Sequence, residues 1–154
     1  MPSPIVSIVI SIPISGSFRS GLINNETRGI FSTAMGQSTT ASGGVSSAMG
    51  RSTIASGDYS TAIGYQTTAS GTASTAMGTN TIASGVSSTA MGFLTTASGV
   101  SSTAMGFQTT ASGDYSTAMG NYVNTNNHNG AFLTTVGQFR SFIVKVLVNV
   151  MVAY

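Results

Sequence analysis

The sequence predicts an all-β fold: a parallel β-roll (β-solenoid) of 14-residue coils with two short strands in each coil. Glycine recurs at every seventh position from Gly36 to Gly120, and alanine stands two positions before each of these glycines. The residue between them alternates between Met or Ile and Ser, so the full repeating unit is twice the glycine spacing. A fixed internal period is the signature of a repeat architecture. Six copies run from about Phe31 to Asp114, and a half-copy ends at Gly120.

The residues between the glycines favour strands over helices. Each unit is rich in Thr, which suits extended backbone, and we expect the glycines to supply the positive φ that each turn needs. A coiled coil would need two large apolar positions in every heptad, whereas this unit has one Met or Ile in two heptads. Collagen would need Gly at every third position. A calcium-binding roll of the RTX type would need repeated Asp residues that the repeat does not contain.

Alternation of side chains along a strand assigns the two faces of each strand. In the segment 60–64, Ser60 and Ala62 share one face, and Thr61 and Ile63 share the other. If the alanine faces of the two strands meet, the interior is thin and filled by small side chains. The apolar residues of the Ala-Met-Gly blocks then form an outer row, named here the Met stripe: Met35, Met49, Ile63, Met77, Met91, Met105 and Met119.

A continuous apolar stripe on the outside of a solenoid indicates a surface that contacts a partner. Burying seven such side chains contributes roughly 10–20 kcal/mol, at about 1.5–3 kcal/mol each. We therefore expect the Met stripe to be an interface between subunits. The alternative arrangement turns Met inward and Ala outward, which gives a monomeric solenoid.

The recurring blocks Ser-Thr-Ala-Met-Gly (with Ile63 in place of Met at 60–64) and Thr-Ala-Ser-Gly (for example at 68–71) resemble the head repeats of trimeric autotransporter adhesins (YadA-like heads). The resemblance covers residues 31–128. It implies a left-handed roll, a homotrimer held together at the apolar position of the Ala-Met-Gly block, and an extracellular or cell-surface head that binds host matrix proteins or cells. The chain shows no apolar heptad run typical of a stalk. An isolated head module, a truncated adhesin and a fibre subunit therefore remain alternatives.

The two ends, 1–30 and 129–154, carry a different pattern from the repeat domain 31–128. Each has an alternating apolar face, formed by Ile8, Ile10, Ile12, Val144, Val146, Val148 and Val150 among others. We expect these amphipathic strands to cap the open ends of the roll, or to join subunits into a fibre by strand addition. Anchoring of the C-terminal strand in a membrane is less favoured. Two strands per chain would give a trimer six strands, fewer than the eight of the smallest known membrane barrels. The N-terminal segment resembles a secretory signal weakly, without a basic start.

The composition argues against catalysis and against cofactor or metal binding. Charged residues make up 5% of the chain, against about 25% in a typical soluble domain. The chain has no Cys, and its four Arg and one Lys are scattered, so neither a thiolate site nor a basic patch for nucleic acid is expected. Asp58 and Asp114 hold the same repeat position four coils apart, roughly 19 Å, which is too far for a catalytic pair. His128 is expected to be solvated in an Asn-rich loop that leaves the roll at 121–130.

Two outer surfaces remain as candidates for binding. Aromatic residues at the coil corners, namely Tyr59, Phe93, Phe107 and Tyr115, are candidate contacts for a ligand or for lateral packing. Phe93 and Phe107 belong to adjacent copies and are expected to form one patch. The second surface is a ladder of small hydroxyl residues, Thr68 and Ser70 in one coil, which resembles the flat Thr-rich faces of ice-binding solenoids. Its second row is Ser instead of Thr, which disfavours ice binding as a function.

Overall fold

The computed structural model describes residues 18–20 and 29–134, and these residues form the parallel β-roll that the sequence predicts. The strands, in chain order, are β1 (Phe18–Ser20), β2 (Thr33–Gln37), β3 (Thr40–Ala41), β4 (Ser47–Arg51), β5 (Ile54–Ala55), β6 (Thr61–Tyr65), β7 (Thr68–Ala69), β8 (Thr75–Thr79), β9 (Ile82–Ala83), β10 (Thr89–Phe93), β11 (Thr96–Ala97), β12 (Thr103–Phe107), β13 (Thr110–Ala111), β14 (Thr117–Asn121) and β15 (Phe132–Thr134). The chain thus passes through about seven coils with a 14-residue spacing, and the described residues contain no helix.

The strands of successive coils stack into two parallel sheets. The long-strand sheet has the order β1-β2-β4-β6-β8-β10-β12-β14-β15, and the short-strand sheet has the order β13-β11-β9-β7-β5-β3. Within the repeats the register is an offset of one whole unit, so that Ala62 pairs with Ala76 and Ala69 pairs with Ala83. Each repeat position therefore forms a straight row along the roll.

The interior consists of small side chains, as predicted. Ala62 from the long-strand sheet and Ala69 from the short-strand sheet are both fully buried, and the equivalent alanines of the other coils are buried to the same extent. The Met stripe lies on the outer face of the long-strand sheet, where Met35 is 39% exposed. The alternative arrangement, with Met inward and Ala outward, is therefore wrong. Successive side chains of a strand point to opposite faces, so of the neighbouring Ala and Met only one can point into the interior.

Two rows of hydroxyl residues share the interior with the alanines. In the described part of the chain, eleven of these buried hydroxyls have no hydrogen-bond partner in the protein: those of Thr39, Ser46, Thr53, Ser60, Thr67, Ser74, Thr81, Ser88, Thr95, Ser102 and Thr109. Equivalent residues in neighbouring coils stand about 4.8 Å apart, which exceeds the roughly 2.5–3.0 Å of an O–H···O bond. The exact repeat therefore places the hydroxyls of equivalent residues in neighbouring coils too far apart to hydrogen-bond to each other.

The coil corners turn through residues other than glycine, so the expectation that Gly supplies every positive φ is wrong there. Gln66 (φ 53°) and Ala73 (φ 55°) make the two turns of one coil in the left-handed region. Their N–H groups donate hydrogen bonds to backbone carbonyls of the preceding coil, at 2.9 Å and 2.8 Å. These bonds satisfy the backbone at each corner and support a conformation that non-Gly residues adopt uncommonly.

Glycine is required for two separate reasons. Gly64, in the Ala-Ile-Gly block, has a φ of 127°, a conformation that L side chains rarely adopt. Gly71, in the Ala-Ser-Gly block, has no positive φ, but a Cβ there would overlap the carbonyl oxygen of Gly85 in the next coil. The glycines of the Ala-Met-Gly or Ala-Ile-Gly blocks thus allow the strand to bend, and those of the Ala-Ser-Gly blocks allow the coils to stack closely.

The Asn-rich segment after β14 continues the roll, so its interpretation as a departing loop is wrong. Val123 and Thr125 are buried, and Asn124 forms a parallel bridge with Thr110. The Thr125 hydroxyl accepts a hydrogen bond from the N–H of Ser112 at 3.0 Å and donates one to the Ser116 hydroxyl at 3.3 Å. Strand β15 then pairs with β14 in parallel and extends the long-strand sheet.

The predicted terminal strands lie outside the described residues. They comprise Ile8, Ile10 and Ile12 near the start of the chain and Val144, Val146, Val148 and Val150 near its end. In the range that the structure covers, no helix is long and apolar enough to cross a membrane.

Candidate functional site

The Met stripe is a straight apolar row on the outer face of the long-strand sheet. The pairing places Met49 beside Ile63 and Ile63 beside Met77, and the row continues through Met91 and Met105 without a shift of register. Met35, Met49 and Met119 are 36–39% exposed, and the four central members are half-buried. Because the interior contains no large side chain in these coils, the large apolar groups of the long strands lie in this row and at the strand ends, where Tyr65, Phe93 and Phe107 stand.

A second row follows the end of each long strand, at the corner of the roll. This corner row consists of Gln37, Arg51, Tyr65, Thr79, Phe93, Phe107 and Asn121, paired in register from coil to coil. Its composition varies from polar to cationic to aromatic between copies, whereas the alanines in the same strands do not vary. The corner row is therefore the part of the long strand where the coils differ most.

The structure brings Phe93 and Phe107 together in the corner row. Their rings are stacked, with centroids 5.2 Å apart and an interplanar angle of 8°. Tyr122, which the sequence analysis did not connect with this pair, meets Phe107 edge to face at 5.4 Å. Further along the row, the Arg51 guanidinium lies 5.5 Å from the centroid of the Tyr65 ring. Stacked and edge-to-face pairs stabilise by about 0.5–1.5 kcal/mol beyond their buried area.

Tyr59 and Tyr115 occupy the other corner of the roll and are not brought near Phe93 and Phe107. Each sits at a left-handed turn position (φ 59° and 57°) and is about two-thirds exposed. Four coils separate them, which corresponds to about 19 Å. They are therefore isolated surface aromatics and do not form a common patch.

The aspartates that precede these tyrosines serve the corner backbone. Asp58 Oδ1 accepts a hydrogen bond from the N–H of Gly44 at 2.8 Å, and Asp114 Oδ1 accepts one from Val100 at the same distance. His128 is exposed, and its Nδ1 lies 3.0 Å from the carbonyl oxygen of Thr125. Among the described residues, no group of three or more His, Cys, Asp or Glu side chains could hold a metal ion.

The short-strand sheet presents its own outer face, opposite in character to the Met stripe. Thr68 and Ser70 point outward there, and Ile54 and Ile82 take the position of Thr68 in two other coils, at 42% and 44% exposure. The predicted hydroxyl ladder thus lies on the surface and is interrupted by isolated isoleucines.

These features define a β-solenoid that encloses an interior of small residues and differs between coils mainly at its corners. The family model described as the YadA head domain repeat matches residues 28–50, 45–67, 69–95 and 97–122. These segments cover more than half of the chain, which therefore belongs to the YadA head repeat family, as the resemblance predicted. A search of curated proteins finds no match.

Proposed function

We propose that three copies of the roll associate through the Met stripe, and that the assembled head is a non-enzymatic adhesin at the cell surface. The single observation that supports this most strongly is the Met stripe itself, an uninterrupted apolar row on the outside of a roll whose interior is Ala, Ser, Thr and Gly. Heads of this family are homotrimeric and surface-exposed in general. The stripe would supply the contact that such a trimer needs.

Energetics favour burial of the stripe in an assembly. Alanine and serine bury little apolar surface per residue, so the interior alone gives the monomer a small hydrophobic stabilisation. Transfer of a Met or Ile side chain out of water contributes about 1.5–3 kcal/mol. Met35, Met49 and Met119 are 36–39% exposed in the single roll and the other four members are less exposed, so association recovers the corresponding fraction of this value at each position. The seven contributions add along one row.

Light scattering on the purified protein tests the assembly directly. We expect a discrete species with the mass of three chains for the wild type, and its loss in the double variant Met77→Asp/Met91→Asp. The matched control is Ile54→Asp/Ile82→Asp, which places the same charges on exposed apolar positions of the opposite sheet. The control should keep the trimer. A trimer that survives in the Met variant would contradict the proposed interface.

Adhesion is tested by binding of the trimer to immobilised extracellular matrix proteins and to cultured cells. Replacing both Phe93 and Phe107 by Ser should lower this binding and leave the melting temperature within a few degrees, because both rings are partly exposed. The double variant Tyr59→Ser/Tyr115→Ser removes two aromatics from the opposite corner. It measures the contribution of these tyrosines to binding separately from that of Phe93 and Phe107. No binding by the wild type to any of these surfaces would refute the adhesin function.

Two other functions are distinguished by the same samples. Long fibres in negative-stain images would favour a filament subunit joined through the terminal strands. Thermal hysteresis at high protein concentration would favour ice binding through the outer face of the short-strand sheet, where Thr68 and Ser70 lie.

A further inference from the structure

The corner row contains one gap between two aromatic rings. Thr79 pairs with Tyr65 on one side and with Phe93 on the other, so that a small side chain separates two large ones. All three positions are partly accessible, with Tyr65 and Phe93 39% and 40% exposed. We name this feature the Thr79 slot; its walls are Tyr65 and Phe93 and its floor is Thr79.

Both rings turn a face toward the slot. Phe93 is parallel to Phe107, the next residue along the row, so one face of Phe93 is covered and the opposite face points toward Thr79. Arg51 covers the face of Tyr65 on the far side from Thr79. Each wall of the slot is thus supported from behind by its own neighbour and has its free face directed at the other wall.

The width of the slot selects a thick ring. Two coil spacings place the walls about 9.6 Å apart. A flat ring in contact with both walls would need only about 7–8 Å, twice the usual separation of carbon atoms in contact. A puckered saturated ring with substituents above and below its mean plane occupies more of this width than a planar aromatic ring does.

The charges around the slot select a neutral ligand. The faces of aromatic rings are electron-rich and disfavour an anion. A cation would be attracted to such faces, but Arg51 already lies over the back of Tyr65 and would repel it. Polar residues that could bind hydroxyls adjoin the slot along the chain: Thr79 itself, and Gln66 and Asn80 at the turn positions that directly follow Tyr65 and Thr79.

We propose that the Thr79 slot binds a neutral pyranose ring, held between Tyr65 and Phe93 by contacts of its C–H groups with the two aromatic faces. This inference rests on the proposed adhesin function and specifies a ligand for it, a neutral glycan on the surface to which the head adheres. The hydroxyls of the sugar would bond to Thr79, Gln66 and Asn80 at the edge of the slot.

Saturation-transfer NMR on the assembled protein tests the proposal, with methyl galactopyranoside, methyl mannopyranoside and methyl N-acetylglucosaminide as probes. The informative variant is Thr79→Phe, which fills the slot. Phe already occupies the same repeat position in the next two coils, so the variant should fold and should keep or raise the melting temperature. The matched control is Gln37→Phe, the same change at the same repeat position three coils away.

The expected result is transfer to at least one pyranoside by the wild type and by Gln37→Phe, with binding weakened about tenfold or more in Thr79→Phe. Equal binding by Thr79→Phe, or none by the wild type, would overturn the proposal. Tighter binding of N-acetyltyrosine amide than of any pyranoside would also overturn it, in favour of an aromatic peptide side chain. If the trimer adheres to cells while pyranosides do not bind, the slot is refuted and the adhesin function stands. Pyranoside binding without adhesion would support the slot and refute the adhesin function.

Discussion

Replacing a buried threonine of the roll with valine should stabilise the protein, because the hydroxyl that is removed has no hydrogen-bond partner in the protein. Thr67 illustrates the case: its side chain is fully buried and its Oγ1 is unpaired. Valine has nearly the same shape and replaces the hydroxyl with a methyl group. The interior therefore needs no rearrangement to accept it.

The size of the effect follows from the cost of a buried, unpaired polar group, about 1–3 kcal/mol. One kcal/mol corresponds to about 2–4 °C in melting temperature for a domain of 150–250 residues. A triple variant, Thr53→Val/Thr81→Val/Thr109→Val, changes sites about 10 Å apart, for which effects are close to additive. We expect about 3–9 kcal/mol for the triple variant if each hydroxyl is unpaired.

Circular dichroism melts at one fixed protein concentration measure the effect, since the melting temperature of an assembly depends on concentration. The matched control is Thr68→Val, in the neighbouring position with its side chain on the outer face. A surface change of this kind should alter stability by no more than about 0.5 kcal/mol. If Thr67→Val lowers the melting temperature while Thr68→Val does not, the buried hydroxyl has a partner, and the reasoning about the interior is refuted.

Two further predictions concern the backbone of the coils. Gly64→Ala should destabilise the roll by more than about 3 kcal/mol, because it adds the strain of a positive φ to an overlap with the carbonyl oxygen of Gly78. Gly44→Ala, whose Cβ makes only an ordinary contact, should be neutral or slightly stabilising, and equal losses in denaturant unfolding would contradict both expectations. Asp58→Ala should cost about 0.5–1 kcal/mol by removing the acceptor for the Gly44 N–H, whereas Asp58→Asn keeps an oxygen there and should unfold at nearly the wild-type denaturant concentration.

The sequence predicts the sheets, the coil length and the outward Met stripe because these depend on alternation and on an exact period. Ala62 and Ile63 are neighbours on opposite faces of one strand, and only the small residue fits where two sheets approach closely. The same period predicts that Phe93 and Phe107 lie beside each other, since they hold the same position in successive copies. Contacts between equivalent positions of successive coils can therefore be predicted from spacing alone.

Features that depend on backbone dihedral angles could not be predicted in this way. The corner residues at positive φ include Leu94, Tyr59 and Gln66, which carry no sequence signal for the left-handed region. The extra coil at 121–131 also escaped prediction, because one inserted residue breaks the period and Asn-rich sequence is typical of loops. The sequence feature that indicates this coil is the pair Val123 and Thr125. They are two positions apart, as side chains on the same buried face of a strand are.

The bend at Gly64 explains how one strand contributes residues both to the Met stripe and to the corner row. Alternation places Ala62 inside and Ile63 outside, and the positive φ of Gly64 then redirects the chain so that Tyr65 extends from the corner. The Met stripe can therefore stay apolar from coil to coil, as the proposed contact between subunits requires, while the corner row varies. Because corner side chains neither enter the interior nor belong to the stripe, replacing one should leave the fold unchanged and alter only the outer surface to which we assign binding. The differences between copies at this corner are accordingly the part of the repeat in which ligand specificity should be sought.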